Sequence, residues 1–323
     1  MRLCLLFLWG LVAVSIGGAA TILEDFSGNP QSDGWNIFGD TNLFQWNSTN
    51  QNLAVTWDSS QTNSYFYHPL GTIVAKADDF SLAFDLQLSD IAIGTNASKP
   101  YTFELAVGFI NLVSATSTNF ERGTGMNTTH GARNICEFDY FPDSGYGATI
   151  SPTMISSNNQ FATKFAYPLT LDPGALFHVT MIYTANNQTL QTTVTRNGAP
   201  FGSIPNDMLG TSFSDFRFDQ VAVCSYSDAG ANGSLLAHGI VDNFVVTVPP
   251  SPVQNLTGRL TNGAWQAQFL SRSNWLYTLQ RSVDFQSWTN VSSTTPGNAT
   301  NLYLPDANPP GDKAFYRISA QRP

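Results

Sequence analysis

The sequence predicts an all-β protein made of many short antiparallel strands in two consecutive parts. Apolar residues recur with a period of two in short runs bounded by Gly, Asn, Asp and Pro, as in residues 80–88, which is the pattern of strands with one buried face. Charged residues make up only 11% of the chain and aromatic residues 13%, a composition typical of extracellular β-sandwiches. Because no long amphipathic helical pattern interrupts the runs, a large sandwich is favoured over an α/β fold.

Residues 1–20 have the pattern of a secretory signal peptide. Arg2 precedes an apolar run over residues 3–16, and a stretch of small residues ends at Ala20. The apolar run is shorter than the ~20 residues that span a bilayer, and no later stretch of that length is free of polar residues. We therefore expect a secreted or cell-surface protein without a membrane span, whose mature chain begins near Thr21.

Charge narrows the class of partners. The net charge is −9 with 14 Lys and Arg in total, and the basic residues form no cluster. A nucleic-acid partner is therefore not expected, since binding to phosphates needs a basic surface.

Two cysteines remain after removal of the signal peptide. Cys136 and Cys224 each lie in an apolar, strand-like run. In an oxidising compartment they can form a disulfide, but buried free cysteine is also a common core residue. The sequence leaves both alternatives open.

A proline-rich segment divides the chain into two domains. Residues 249–252 contain three prolines, which cannot continue a central strand, so this segment is predicted to be a linker. We expect a first domain over residues 21–248 and a small C-terminal β-sandwich domain over residues 253–323. Residues 277–288 read Y-x-L-Q-R-S-x-D-x-x-x-W, and this order resembles a small β module found at the ends of exported bacterial proteins.

The segment with the clearest chemical pattern is residues 135–143, which reads I-C-E-F-D-Y-F-P-D. In a strand, Glu137 and Asp139 point to one face, while Cys136, Phe138 and Tyr140 point to the other. Two neighbouring carboxylates of like charge need a cation, a ligand or solvent to relieve their repulsion. The alternative is a pair of acids hydrogen-bonded on the face of a sheet.

The same segment resembles the metal-binding strand of L-type lectins, which have a concanavalin A-like jelly-roll fold and the motif E-F-D-T-F-P-N. The resemblance implies a metal site at Glu137, Asp139, Phe141 and Asp143, with Phe141 contributing its backbone carbonyl. The Asp and His that follow in the lectins have no counterpart in residues 144–147, so a single calcium ion with oxygen ligands is the expected cofactor. The first domain is accordingly expected to be a concanavalin A-like jelly-roll sandwich.

A catalytic use of this strand is less favoured. Retaining glycosidases on this fold place a nucleophile and an acid/base on one strand as E-x-D-x-E or E-x-D-x-x-E. Phe141 and Pro142 occupy the acid/base positions here, so the usual proton donor is missing. A polysaccharide-degrading hydrolase or lyase therefore remains the alternative to a binding protein.

A second candidate ligand-binding segment is residues 218–228. Its alternation suits a strand of the concave sheet, and Tyr226 and Asp228 at its end have the chemistry to stack on a sugar and to hydrogen-bond it. The sequence thus leads to an exported, non-catalytic, lectin-like protein with a carbohydrate partner. A structural cell-surface protein without a small ligand is the third alternative.

Overall fold

Antiparallel strands form nearly all regular structure in this computed structural model, which describes residues 19–123 and 131–323. The predicted signal peptide lies almost entirely outside these ranges. Within them, no helix has the length and apolar character needed to cross a bilayer.

Within residues 19–123 and 131–248, sixteen strands are present. They are β1 Ala20–Glu24, β2 Asn36–Phe38, β3 Phe44–Asn47, β4 Asn52–Asp58, β5 Ser64–Val74, β6 Phe80–Ile93, β7 Leu105–Ile110, β8 Ile135–Phe141, β9 Thr149–Ile155, β10 Phe161–Thr163, β11 Phe177–Thr184, β12 Thr189–Arg196, β13 Ala199–Pro200, β14 Asp207–Met208, β15 Phe218–Ser225 and β16 Leu235–Val248. One short α-helix, α1 (Leu112–Ala115), and two 3-10 turns, Pro30–Asp33 and Thr41–Leu43, complete this part.

These strands form two antiparallel sheets. The nine-stranded sheet has the order β13-β12-β11-β6-β16-β4-β3, with β1 beside β16 and β14 beside β12, and the seven-stranded sheet has the order β10-β9-β8-β7-β15-β5-β2. The chain passes repeatedly from one sheet to the other, as in a jelly roll. The sheets pack face to face through aromatic side chains, for example Phe84 of β6 against Phe138 of β8, with ring centroids 5.9 Å apart. The predicted all-β sandwich is confirmed.

Asn197 and Gly198, an Asn-Gly pair of the kind that favours a tight hairpin turn, form such a turn. It joins β12 to β13, and both residues have positive φ, 50° and 82°. Asparagine and glycine are the residues that tolerate this conformation most easily.

The two cysteines are free and buried. Cys224 lies opposite Ala106 of β7, and Cys136 lies opposite Phe109 of the same strand. Ala106 and Phe109 are an odd number of residues apart and so point to opposite faces of the sheet. The two thiols are therefore separated by the sheet, which resolves the alternative that the sequence left open.

Seven strands follow the proline-rich segment. They are β17 Val253–Thr261, β18 Ala264–Ser271, β19 Leu276–Ser282, β20 Thr289–Asn290, β21 Thr295–Pro296, β22 Asn301–Asp306 and β23 Phe315–Gln321. They form a three-stranded sheet, β17-β18-β22, and a four-stranded sheet in which β19 pairs with β20, β21 and β23. Their buried residues, among them Phe269, Trp275 and Tyr277, form a hydrophobic cluster separate from that of the larger sandwich.

Charged contacts join the two parts. Asp78 follows β5 and accepts a hydrogen bond of 3.0 Å from Arg272 and another from Arg322. Arg272 also donates to the hydroxyl of Thr72, and Arg322 to the carbonyl of Ile73, both at 3.0 Å. Asp78 is buried, and the side chains of Arg272 and Arg322 are 14% and 6% exposed. One carboxylate therefore offsets part of the positive charge of two cations that have lost most of their hydration.

We expect Asp78→Asn to loosen the docking of the C-terminal part on the sandwich. The substitution leaves Arg272 and Arg322 without their counter-charge, and breaking a buried ion pair in this way costs about 3 kcal/mol. Limited proteolysis near residues 249–252 should then become faster. Asp312→Asn, which removes an exposed carboxylate, is the control, and equal cleavage rates in the two variants would contradict this role of Asp78.

Candidate functional site

Strand β8 turns its acidic side chains away from the nine-stranded sheet. Phe138 points into the sandwich, so Glu137 and Asp139 point to the outer face of the seven-stranded sheet, as the alternation predicts. Gly108 of β7 lies opposite Glu137. A Cβ at Gly108 would come within 2.6 Å of the Glu137 Cα and 2.2 Å of the Cys136 carbonyl oxygen, so this register of the two strands requires glycine at that position.

Arg122 meets these acids on the outer face. Its guanidinium nitrogens lie 2.8 Å from a carboxylate oxygen of Asp139, 3.3 Å from one of Glu137 and 3.4 Å from one of Glu104. We call these four residues the Arg122 cluster. None of the four side chains is more than 6% exposed, so three acids share one cation out of contact with bulk water.

The polar contacts around the cluster satisfy only part of its atoms. The Tyr226 hydroxyl donates a hydrogen bond to Glu137, and the Tyr226 ring lies 5.3 Å from the guanidinium carbon of Arg122. One carboxylate oxygen on each of Glu104, Glu137 and Asp139 lacks a hydrogen-bond partner within the described residues, as does Nε of Arg122. Charge attraction to the guanidinium, rather than a complete hydrogen-bond network, holds the acids together.

Burial changes the proton affinities of the cluster. It raises the pKa of Glu104 to about 7, with Arg122 acting in the opposite direction. Burial likewise raises the pKa of Glu137 and of Asp139, again against the effect of Arg122. For Arg122 itself, burial lowers the pKa, but the three carboxylates outweigh burial and raise it well above its ordinary value. The cluster therefore favours a permanently charged arginine beside carboxyls that hold protons more tightly than usual.

The four predicted metal-binding residues do not form a ligand set that fits a metal ion. Glu137 and Asp139 are engaged by Arg122. Phe141 is half-buried at the end of β8, and Asp143 is exposed in the following turn, where its carboxylate accepts the Gly145 amide at 3.1 Å. Among residues 19–123 and 131–323, no three Asp, Glu, His or Cys side chains are placed to hold a metal. Calcium stays an untested expectation from the sequence.

The two predicted sugar-binding residues have internal partners. Tyr226 is 2% exposed and directs its hydroxyl at Glu137. Asp228 is also buried, lies 2.6 Å from the Lys99 ammonium and accepts a hydrogen bond of 3.0 Å from the Ser59 hydroxyl. Their polar groups thus act within the protein, and a role in ligand binding stays a prediction.

A different surface has the features of a ligand site. Tyr146, Phe165 and Tyr167 are 74%, 58% and 53% exposed, and with Ser144 and Thr149 they line a pocket of about 360 Å³. We call it the aromatic pocket. The Tyr146 and Tyr167 rings lie 5.5 Å apart at an angle of 34°. The Ser144 hydroxyl is hydrogen-bonded at 2.7 Å to that of the buried Thr149, and the exposed Ser144 adds a polar group to an aromatic surface.

The β8–β9 turn places Tyr146 at the pocket. The Ser144 amide donates to the Gly147 carbonyl, and Asp143 accepts the Gly145 amide. Gly145 and Gly147 both have positive φ, 86° and 94°, which glycine adopts without strain. The turn therefore closes on its own backbone and leaves the Tyr146 ring outside.

Sequence reasoning missed Arg122 and the aromatic pocket. Arg122 stands in a stretch without periodicity, 15 positions before Glu137, so no spacing rule connects the two. For Tyr146 the sequence did contain a signal of exposure. A large aromatic residue flanked by two glycines lies in a turn, outside the strands that bury their side chains.

Comparison with solved structures finds plant lectins. Peanut lectin is 15% identical with a TM-score of 0.44, over 72% of this chain and 98% of that chain. Lectin II from Ulex europaeus is 10% identical with a TM-score of 0.46, over 71% and 98%. A lectin from Bauhinia forficata in complex with GalNAc is 10% identical with a TM-score of 0.43, over 72% and 100%. No family model and no curated protein matches the sequence. The functional interpretation therefore rests on the residues of this chain.

We expect Glu104→Gln to flatten the dependence of stability on pH. The folded-state pKa of Glu104 is about 7 against an ordinary value of 4.5, so the folded protein keeps a proton that the unfolded chain has lost. The contribution of Glu104 to the free energy of unfolding is complete below pH 4.5. It declines as the pH rises to 7, by about 3 kcal/mol in total. Glu137 and Asp139 act in the same direction and will retain part of the slope.

Unfolding free energies from urea titrations between pH 5 and 8 measure this effect. Asp143→Asn, at an exposed carboxylate outside the cluster, is the control and should leave the slope unchanged. Identical slopes for the unmodified protein and for Glu104→Gln would show that Glu104 ionises normally in the folded state.

Proposed function

We propose that this protein is an exported, non-catalytic carbohydrate-binding protein whose glycan stacks in the aromatic pocket. The observation that carries the proposal is the exposure of Tyr146, Phe165 and Tyr167 around one concavity. Rings of this size normally bury most of their surface in the folded protein. Three of them left open around one pocket mark a surface that a ligand covers.

Sugars match the chemistry of this pocket. A pyranose ring has C–H faces that pack on aromatic rings and hydroxyl groups that exchange hydrogen bonds with side-chain hydroxyls. The tilted Tyr146 and Tyr167 rings offer the first kind of contact. The exposed hydroxyl of Ser144, together with the two tyrosine hydroxyls, offers the second kind.

The charge distribution favours a neutral glycan. None of the five side chains that line the pocket is charged at neutral pH, and the chain has a net charge of −9. An acidic polysaccharide would meet repulsion from this net charge, with no cation among the lining side chains to offset it. Neutral hexose or N-acetylhexosamine chains meet no such repulsion.

The burial of the acidic pair supports a non-catalytic role. Glycoside hydrolysis needs two carboxyl groups that flank the bond of the bound substrate. Glu137 and Asp139 are 0% and 1% exposed and are ion-paired with Arg122. A glycan in the aromatic pocket therefore has no direct access to them. Export is supported by the N-terminal sequence pattern alone.

We expect Tyr146→Ala and Tyr167→Ala each to weaken glycan binding about tenfold, which corresponds to ~1.4 kcal/mol. Each substitution removes one stacking face without touching the sandwich core. A glycan array with residues 21–323 would identify the ligand, and calorimetry with the best hit would give the affinities.

Tyr101→Ala is the matched control, because Tyr101 is 69% exposed and does not line the aromatic pocket. It should bind as the unmodified protein does. Silence of the protein across a broad array, or equal binding by all three variants, would overturn the proposal. Release of new reducing ends from the bound glycan would overturn its non-catalytic part.

A further inference from the structure

The Arg122 cluster brings together three buried acids whose negative charges need compensation. Glu104 precedes β7, while Glu137 and Asp139 lie on β8, and all three are buried. Each ionised carboxylate would lose most of its hydration there and repel its neighbours. In a protein, such a group is relieved by a metal ion, by a basic side chain or by protons.

The structure provides a basic side chain in a suitable shape. A guanidinium is planar, keeps its charge at all ordinary pH values and has five N–H donors directed outward in its plane. Two of the Arg122 nitrogens face the acids: Nη2 lies 2.8 Å from Asp139 and 3.3 Å from Glu137, and Nε lies 3.4 Å from Glu104. The cation thus lies among all three carboxylates.

We propose that the guanidinium of Arg122 is a built-in cation, which takes the place of a metal ion among the three carboxylates of the Arg122 cluster. A divalent ion among these carboxylates would have to approach the guanidinium itself, which repels it. The outer face of the seven-stranded sheet is therefore held together without calcium. Because the cation is covalently attached, this stabilisation does not depend on the concentration of any ion, unlike that of a bound metal.

The first test uses the unmodified protein and is independent of glycan binding. We expect its melting temperature to be the same, within about 1 °C, in excess calcium and in excess chelator, since a ligand that binds only the folded state raises the melting temperature. A rise with calcium that chelator reverses would overturn the proposal.

The second test removes the cation. Arg122→Met keeps much of the side-chain length and leaves the buried acids uncompensated, so the melting temperature should fall by about 10 °C. Arg196→Met is the control, since Arg196 pairs with Asp172 at 2.7 Å but both side chains are more than 40% exposed. It should lower the melting temperature by no more than about 2 °C. Equal losses in the two variants would overturn the proposal.

Charge compensation also predicts coupling between the substitutions. Adding Glu104→Gln and Asp139→Asn to Arg122→Met removes two of the uncompensated charges, so the triple variant should recover part of the lost melting temperature. If Arg122→Met alone gives no folded protein, the triple variant should still fold. A triple variant that is no more stable than Arg122→Met would show that Arg122 acts through packing and not as a cation.

Discussion

Strands in the seven-stranded sheet must present one apolar face to the nine-stranded sheet, and the rest of the structure follows from this alternation. On β8, Phe138 meets the core, and Glu137 and Asp139 are thereby forced onto the outer face. That outer face is itself covered, since both acids are buried. The fold thus buries two carboxylates of like charge next to each other on β8. Their ionised forms require a cation nearby.

Arg122 and a metal ion compensate buried negative charge in different ways. A metal gathers oxygen ligands from several segments and can be removed, so stability becomes linked to ion concentration. An arginine contributes its cation as part of the chain and binds carboxylates through fixed, directional N–H groups. The lectin-like motif of residues 137–143 is therefore compatible with a site in which ion pairs within the chain replace metal coordination. A strand motif by itself does not identify the cation.

The proposed glycan-binding surface is formed by residues other than those of the Arg122 cluster. The aromatic pocket lies at the β8–β9 turn and in the segment after β10, where backbone conformation is set by glycines and local hydrogen bonds rather than by core packing. Such positions can expose aromatic rings without weakening the sandwich. The C-terminal part is joined to the sandwich through Asp78, which does not line the pocket, so its attachment and the pocket depend on separate contacts.

The sequence by itself determined the all-β class, the strand alternation that puts Glu137 and Asp139 on one face, and the tight turn at Asn197 and Gly198. These features depend on residues close together in the chain, where side-chain period and backbone preference act directly. Only the tertiary structure decided that Cys136 and Cys224 are on opposite faces of a sheet, that Arg122 meets the acids, and that Tyr146 and Tyr167 share a pocket. Those outcomes depend on the order in which strands pair and on how loops return to the sheet, which bring together residues with no fixed spacing in sequence.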